Sequence, residues 1–209
     1  MRDASQAKVV EFGQLKLERL LTKEIRDKFR NGINFDLICG LPGQNLENFE
    51  VTIKKTIEFS PDRICLNYLH VSPKFHPHQV KMPKDMLPDE VKRKELFKLA
   101  EEFLLKNNYI RAGYDHFVKN NDYLAEEIKQ NQASWNRLGI VTGKYTNTIG
   151  AGVSATCKIE GKLYYQNCFE NNVYEDRLNK DLLPITKYHS LSKDDQIREK
   201  IIKDIRLFF

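Results

Sequence analysis

Hydrophobic and polar positions alternate between helical and strand periods over the first part of the chain. Apolar residues recur at helical spacing over 14–30, where an Asn-Gly pair ends the predicted helix. A short apolar strand and a Gly-Leu-Pro-Gly turn follow over 33–44, then a helix to residue 59 and a strand over 63–69. Helical connections are long enough for parallel strand pairing, so this order predicts an α/β fold, either a barrel or an open sheet.

The middle of the chain continues this pattern after a long interruption. Residues 70–88 hold four prolines and three histidines, and a loop of this length is uncommon unless it binds a ligand or acts as a lid. A charged amphipathic helix is predicted over 89–107 and a short helix over 122–130. Between them, 109–117 reads as one strand that Gly113 interrupts.

The last part of the chain has weaker periodicity. Residues 136–156 are rich in Gly, Thr and small side chains and fit no amphipathic helix. A β-hairpin is predicted over 158–166 and a helix over 169–179. Ser192 with Asp195 predicts the capped start of a final helix, whose apolar positions are four isoleucines.

Composition and charge are those of an ordinary soluble globular protein. The chain has 209 residues, is 41% hydrophobic and 30% charged, and contains no apolar run of the roughly 18 residues that a membrane helix needs. Without a signal peptide, we expect a cytoplasmic protein. The net charge of +5 indicates a solvated lysine-rich surface or attraction to an anionic ligand. Nucleic acid is not expected as a partner, because the lysines are spread along the chain.

No residue pattern predicts a metal site, and metal ligands are predicted to be absent. The four cysteines lack C-x-x-C spacing and are expected to be free thiols: Cys39, Cys65, Cys157 and Cys168. Three histidines lie close enough in sequence to suggest ligands, but no further ligand stands at a fixed spacing: His70, His76 and His78.

Asp36 is the candidate binding residue that stands out from the pattern. It lies within the apolar strand, where a carboxylate is costly to bury unless it is paired, hydrogen-bonded or facing a ligand. The glycines of the following turn mark the C-terminal end of that strand, where parallel α/β sheets bind ligands. A structural, hydrogen-bonded role for Asp36 remains the alternative. The Gly150–Gly152 pair is weak evidence for phosphate binding, and tight backbone packing explains it equally.

A series of short motifs follows a fixed order along almost the whole chain. They are NFDLICGLPGQ at 34–44, SPDRI at 60–64, NYLHV at 67–71, PHQ at 77–79, GYDHF at 113–117, GAGVSA at 150–155, YYQN at 164–167, LPI at 183–185 and LSKDDQIR at 191–198. In this order and spacing the chain resembles the oxygen-independent coproporphyrinogen III oxidases (coproporphyrinogen dehydrogenases), a radical S-adenosylmethionine family of heme biosynthesis. The G-L-P-G-Q turn is shared by several radical enzymes, whereas the DHF, GVSA and terminal motifs are more specific.

The resemblance implies the distal part of a radical-SAM partial (β/α) barrel over 1–130. An α+β C-terminal region, truncated at its end, would occupy 131–209. It also implies S-adenosylmethionine and a [4Fe–4S] cluster as cofactors, coproporphyrinogen III as substrate and an electron donor for the cluster. The implied reaction is the oxidative decarboxylation of two propionates to the vinyl groups of protoporphyrinogen IX.

Three S-adenosylmethionine contacts of the family carry over to this sequence: Asp36, Leu69 (where the family has Ala, through its backbone) and Thr156 (where Ile is common). The C-x-x-x-C-x-x-C motif that ligates the cluster is absent, so the chain is expected to need a separate N-terminal half or to be inactive. Half a barrel has open strand edges, which predicts poor solubility or oligomers for the chain alone.

The segment 136–142 departs from the family at a place where the family recognises its substrate. This departure favours, as an alternative function, a heme chaperone or a heme-acting radical enzyme of the same family. The missing cysteine motif leaves an inactive fragment as another alternative. Four basic residues could pair with substrate carboxylates, although solvated surface roles are expected for them: Lys74, Lys81, Arg111 and Arg137.

Overall fold

The computed structural model describes residues 26–28, 32–136, 139–145 and 147–207. The chain divides into two compact units, the first ending at Glu126 and the second beginning at Glu127. The helix predicted over 14–30 lies almost wholly outside the described residues.

The first unit is built on a four-stranded sheet with the strand order β1-β2-β4-β3. β1 and β2 are parallel, as predicted, whereas β4 is antiparallel to both of its neighbours. The elements along the described chain are β1 (Asn34–Cys39), α1 (Leu46–Phe59), β2 (Arg63–Tyr68), two short 3₁₀ helices (Pro77–Lys81 and Lys84–Met86), α2 (Glu90–Lys106), β3 (Tyr109–Arg111), β4 (His116–Lys119) and α3 (Tyr123–Lys129), which ends in the second unit.

Helix α1 shows how local sequence sets its boundaries. The Asn45 side chain accepts a hydrogen bond from the backbone N–H of Asn48 at 2.9 Å, and the Asn48 side chain accepts one from the backbone N–H of Asn45 at 3.0 Å. This reciprocal cap satisfies backbone donors at the start of the helix. The helix ends at Ser60, which adopts a left-handed φ of 52°. Phe49 and Ile53 lie on its buried face, so the predicted helix is confirmed.

The two faces of the first sheet differ in chemistry. One face packs on α1 and α2 and forms the hydrophobic core, whose buried members are Cys39, Phe49, Ile53, Ile64, Leu66, Leu96, Phe97, Ala100, Leu104, Tyr109 and Phe117. The opposite face of β1 carries Asn34, Asp36 and Ile38, and all three are exposed. The strand predicted over this apolar run is confirmed, but β1 buries only one of its two faces.

The single strand predicted over 109–117 is also wrong, because the chain reverses between β3 and β4. Arg111 closes this reversal by donating hydrogen bonds to the carbonyls of Gly113 at 3.1 Å and Tyr114 at 2.7 Å. The backbone N–H of Ala112 donates to the carbonyl of His116 at 2.8 Å. As a result, β4 lies between β2 and β3, which do not pair with each other.

The long proline-rich loop between β2 and α2 is organised by one glutamine. The Gln79 side chain accepts a hydrogen bond from the backbone N–H of Ser72 at 2.6 Å and donates one to the carbonyl of His70 at 3.1 Å. The backbone N–H of Gly43 donates to the carbonyl of Met86 at 2.8 Å, which joins the loop to the turn after β1. The loop thus has defined structure beside the C-terminal end of β1.

The second unit contains a two-stranded hairpin and a four-stranded antiparallel sheet of order β10-β9-β8-β7. Its elements are β5 (Ser134–Asn136), β6 (Gly139–Val141), β7 (Asn147–Thr148), β8 (Thr156–Ile159), β9 (Leu163–Asn167), α4 (Asn171–Asn179), β10 (Ile185–Ser190) and α5 (Lys193–Leu207). The predicted hairpin of β8 and β9 is confirmed, as is α4. The strands β5, β6, β7 and β10 were not predicted from the sequence.

Helix α5 begins as the sequence predicts. The Ser192 hydroxyl accepts a hydrogen bond from the backbone N–H of Asp195 at 3.1 Å, and the Asp195 carboxylate accepts one from the backbone N–H of Ser192 at 2.9 Å. The isoleucines of this helix are half or more exposed: Ile197, Ile201, Ile202 and Ile205. The apolar face of α5 is thus mostly in contact with solvent.

Candidate functional site

A row of three polar or ionisable side chains crosses the sheet of the first unit. Asp36 on β1 stands opposite Cys65 on β2, and Cys65 stands opposite His116 on β4. Residues in register on adjacent strands project to the same side of a sheet. The three side chains therefore share the face that the hydrophobic core leaves open, which we call the polar face.

Asp36 is exposed on the polar face, and Oδ1 accepts a hydrogen bond from Nδ2 of Asn34 at 2.9 Å. The expectation of a carboxylate buried inside an apolar strand is wrong. The physical reason is that the strand buries only its other face, so no desolvation cost has to be offset. An exposed carboxylate with a neighbouring amide can accept hydrogen bonds from hydroxyl or ammonium groups of a ligand.

His116 contacts both Cys65 and Asp115, the last residue before β4. The His116 Nδ1 atom lies 2.6 Å from Oδ1 of Asp115 and 3.9 Å from Sγ of Cys65. The side chains of His116 and Asp115 are 12% and 19% exposed, and Cys65 is buried. Burial, together with the negative charges of Asp115 and Asp36, raises the pKa of the Cys65 thiol to about 12. The thiol is therefore protonated at neutral pH.

The turn after β1 is held by the side chain of Gln44. Its Oε1 accepts hydrogen bonds from the backbone N–H groups of Gly40 at 2.5 Å and Leu41 at 3.2 Å, and its Nε2 donates to the carbonyl of Ile38 at 3.1 Å. Gly40 has a φ of +94°, and a Cβ there would lie 2.8 Å from Cδ of Arg93. Glycine is required at this position both by its backbone conformation and by the close approach of that side chain.

Leu69 directly follows β2 and is half-buried. Its backbone N–H donates a hydrogen bond to the carbonyl of Cys39 at 2.8 Å, which continues the pairing of β1 and β2 beyond the last residue of β2. Leu69 thus lies at the C-terminal end of the two parallel strands, next to the end of the strand that carries Asp36. Ligands of parallel α/β sheets bind at this end.

Thr156 lies in the second unit, as the first residue of β8. The preceding glycine-rich loop is held by Asn167, whose Nδ2 donates hydrogen bonds to the carbonyls of Gly150 at 3.3 Å and Gly152 at 2.9 Å. The backbone N–H of Gly152 donates to the hydroxyl of Tyr174 at 3.0 Å. These contacts organise the loop through protein side chains.

The basic residues considered for substrate carboxylates have different surroundings. Arg111 forms an ion pair with Glu101 at 2.7 Å, besides closing the turn between β3 and β4. Lys74 and Lys81 are exposed, and Arg137 lies outside the described residues. Arg111 is therefore engaged in holding the sheet together.

The cysteines of this chain do not fit a [4Fe–4S] cluster. Such clusters are held by several cysteine thiolates converging on one site. All four cysteines are buried and free. Among the described residues, one group of three side chains could ligate a metal, and only one of the three is a cysteine, Cys65. The polar face of β1, in contrast, offers an exposed carboxylate of the kind that could bind S-adenosylmethionine.

The sequence alone missed the grouping of Cys65, Asp115 and His116. Asp115 and His116 were visible as neighbours, but the position of Cys65 beside them depends on the antiparallel pairing of β2 and β4. Two sequence signals were related to this grouping. Cys65 alternates with the core residues of β2, which places it on the other face of the strand, and Gly113 interrupts the predicted strand just before Asp115.

Among the described residues, no helix is long and apolar enough to cross a membrane.

Comparison with known proteins identifies relatives over most of the chain. The oxygen-independent coproporphyrinogen III oxidases of Synechocystis, Helicobacter pylori and Escherichia coli are 33%, 36% and 33% identical over 88%, 86% and 82% of this chain. The chain spans only 40%, 39% and 37% of their respective lengths. No family model matches the chain.

A solved structure shares the fold. The structure described as coproporphyrinogen III oxidase (HemN) from Escherichia coli, a radical SAM enzyme, matches 94% of this chain with a TM-score of 0.82 and 30% identity. The match covers 44% of that structure. The predicted fold class, part of a radical-SAM barrel with an attached α+β region, is confirmed. The chain is thus related to the oxygen-independent coproporphyrinogen III oxidases over a stretch of about two-fifths of their length.

Proposed function

We propose that this chain is part of an oxygen-independent coproporphyrinogen III oxidase, and that the polar face of its first sheet lines the active site. The carrying observation is that β1 leaves Asp36 exposed on this face, outside the hydrophobic core, while the chain is about one-third identical to those oxidases. The proposed reaction is the oxidative decarboxylation of two propionates of coproporphyrinogen III. The relatives reported above are named oxidases, which does not favour the heme-chaperone alternative.

Three residues are proposed to contact S-adenosylmethionine. The exposed Asp36 carboxylate would accept hydrogen bonds from its polar groups, and Leu69 would contact it through the backbone at the end of β2. Thr156, at the start of β8, is proposed as a contact from the family resemblance alone. When bound, S-adenosylmethionine supplies the hydrogen abstraction that starts decarboxylation of the substrate. The role of these residues is to bind and orient it.

The ligands of the [4Fe–4S] cluster would have to come from sequence outside this chain, because its cysteines do not gather at one site. We propose a cysteine-bearing N-terminal half as a partner, together with an electron donor for the cluster. β1 pairs with β2 on one side only among the described residues. We propose that such a partner would pair with the other edge of β1.

Reconstitution with a cysteine-bearing half tests this function. We would co-express the chain with the N-terminal half of the Helicobacter pylori relative, assemble the cluster anaerobically, and confirm co-purification and cluster absorbance. The assembled complex should consume coproporphyrinogen III and form protoporphyrinogen IX. A complex that carries its cluster and binds S-adenosylmethionine but consumes no coproporphyrinogen would contradict the proposal.

A matched pair of variants tests the site within that complex. Asp36→Asn should weaken S-adenosylmethionine binding, measured by equilibrium dialysis, by about tenfold or more, because an ionised hydrogen-bond acceptor is lost. Glu47→Gln, an exposed carboxylate in the first turn of α1, should leave binding unchanged. Equal binding by the wild type and Asp36→Asn would refute the role of Asp36 while leaving the overall activity to be judged by turnover.

A further inference from the structure

We propose that Cys65, Asp115 and His116 form a binding site for a divalent transition-metal ion of the Zn²⁺ type. The three side chains supply a thiolate sulfur, a carboxylate oxygen and an imidazole nitrogen, which are the ligand types that Zn²⁺ takes in proteins. Their ligand atoms all lie within 4.8 Å of one another. This inference concerns the chain alone and does not depend on the proposed function.

The sulfur–nitrogen distance is near that of a tetrahedral site, whereas the carboxylate oxygen must move away from the imidazole nitrogen to admit an ion. From typical zinc bond lengths, ligand nitrogen and oxygen atoms stand about 3.4 Å apart, and sulfur and nitrogen about 3.6 Å apart. Here the Asp115 oxygen is 2.6 Å and the Cys65 sulfur 3.9 Å from His116 Nδ1. Rotation of the Asp115 side chain by about 0.8 Å away from Nδ1 would bring the nitrogen–oxygen pair to that separation.

The contacts favour a metal site over a nucleophilic cysteine. In a Cys-His-Asp relay, the carboxylate contacts one ring nitrogen of the histidine and the nucleophile contacts the other. Here both the Asp115 oxygen and the Cys65 sulfur approach the same nitrogen, Nδ1 of His116. That nitrogen can carry only one proton, and a carboxylate oxygen can only accept it. A cation that replaces this proton would lie within reach of the ligand atoms of all three side chains.

The surroundings are also suited to a cation. The site lies on the polar face, and the three ligating side chains are buried or mostly buried, which reduces competition from water. Asp36, in register with Cys65 on the next strand, adds a nearby negative charge. A bound divalent ion would deprotonate the thiol and offset the negative charges of the thiolate and the Asp115 carboxylate. A water molecule would complete the four ligands.

Cobalt titration of the untagged, full chain under reducing, anaerobic conditions tests the site. Co²⁺ should bind at one ion per chain and give a thiolate-to-cobalt charge-transfer band together with the visible bands of tetrahedral cobalt. Zn²⁺ should displace it. Cys65→Ser should lose the charge-transfer band, and His116→Gln should weaken Co²⁺ binding by about tenfold or more. Circular dichroism would establish that each variant is folded.

Two variants serve as matched controls. Cys39→Ala removes a buried cysteine from the opposite face of the same sheet, and His78→Gln removes an exposed histidine. Both should keep the charge-transfer band at full intensity. A wild-type chain that shows no such band, or a band that persists in Cys65→Ser or disappears in Cys39→Ala, would overturn the proposal. If Cys65→Ser does not fold, His116→Gln decides the matter, because unchanged Co²⁺ affinity in that variant also overturns it.

Discussion

Replacement of Asp122 tests how the first unit joins its sheet to α3. The Arg63 guanidinium donates to the Asp122 carboxylate through Nε at 3.2 Å and through its terminal nitrogen at 2.9 Å. The same carboxylate accepts a hydrogen bond from the backbone N–H of Leu124 at 2.6 Å, which caps the start of α3. The Asp122 side chain is 7% exposed and that of Arg63 is 21% exposed. One carboxylate thus serves an ion pair and a helix cap.

The size of the effect follows from these two contacts. Removing one partner of a fully buried ion pair costs about 3–5 kcal/mol. Because Arg63 is partly exposed and can reach water, we expect a lower value of about 2 kcal/mol for the pair. Loss of the cap adds about 1 kcal/mol. Asp122→Ala should therefore destabilise the first unit by about 3 kcal/mol, and Asp122→Ser by about 2 kcal/mol because its hydroxyl can still cap the helix.

Hydrogen–deuterium exchange of the full chain measures this loss locally. A destabilisation of about 3 kcal/mol should lower the protection of peptides covering β2 and β4 on the order of 100-fold. Glu58→Gln, which removes an exposed ion pair with Lys55, is the control and should change protection by less than about threefold. Unchanged protection in Asp122→Ala would refute the contribution of the pair. Equal losses in the Ala and Ser variants would refute the contribution of the cap.

Three further predictions concern single residues. Gly40→Ala should lower the melting temperature more than Gly161→Ala, because both have positive φ but only at Gly40 would the Cβ meet another atom, at 2.8 Å. Tyr109→Phe should cost about 1 kcal/mol at neutral pH, because the hydroxyl donates to a buried carbonyl at 2.6 Å. Burial raises the pKa of Tyr109 from 10.0 to about 12, so urea titrations should show wild-type stability falling as pH rises between these values, a dependence that the variant lacks. Hydrogen bonds from the Ser192 hydroxyl and backbone N–H hold the pKa of Asp195 below its usual range, so the stability they contribute is lost as pH falls through that lowered pKa. Ser192→Ala should raise the pKa of Asp195 in a carboxyl NMR titration. An unchanged pKa would exclude the contribution of the Ser192 hydroxyl.

Sequence patterns predicted the elements whose signals are local. The apolar residues that predict α1 recur within a few positions of each other, and α1 ends at residue 59 as predicted. β10 gave no such signal, because five of its six residues are exposed and the strand is held by pairing with β9. The turn between β3 and β4 depends on Arg111 reaching the carbonyls of Gly113 and Tyr114. The secondary-structure propensities of the residues do not predict that a side chain will close a turn in this way.

The candidate site was predictable only where a single residue carried the signal. Asp36 could be singled out because a carboxylate interrupts an apolar run, but its exposure depends on which face of β1 the helices cover. The position of Cys65 beside His116 depends on a pairing between strands 51 residues apart in sequence. Strand register is set by the whole sheet, because a shift of one residue moves every side chain to the other face. Spacing along the chain therefore could not have grouped these residues.

The two cysteines of the parallel strands show how much that register decides. Cys39 on β1 and Cys65 on β2 are both buried, and burial raises the pKa of each thiol to about 12. Cys39 belongs to the hydrophobic core, and burial alone accounts for its raised pKa. Cys65 projects to the polar face, where carboxylates add to the effect and an imidazole lies within reach. The same residue type is thus part of the packing on one side of the sheet and a potential ligand on the other, and the face of the strand, not the degree of burial, distinguishes the two.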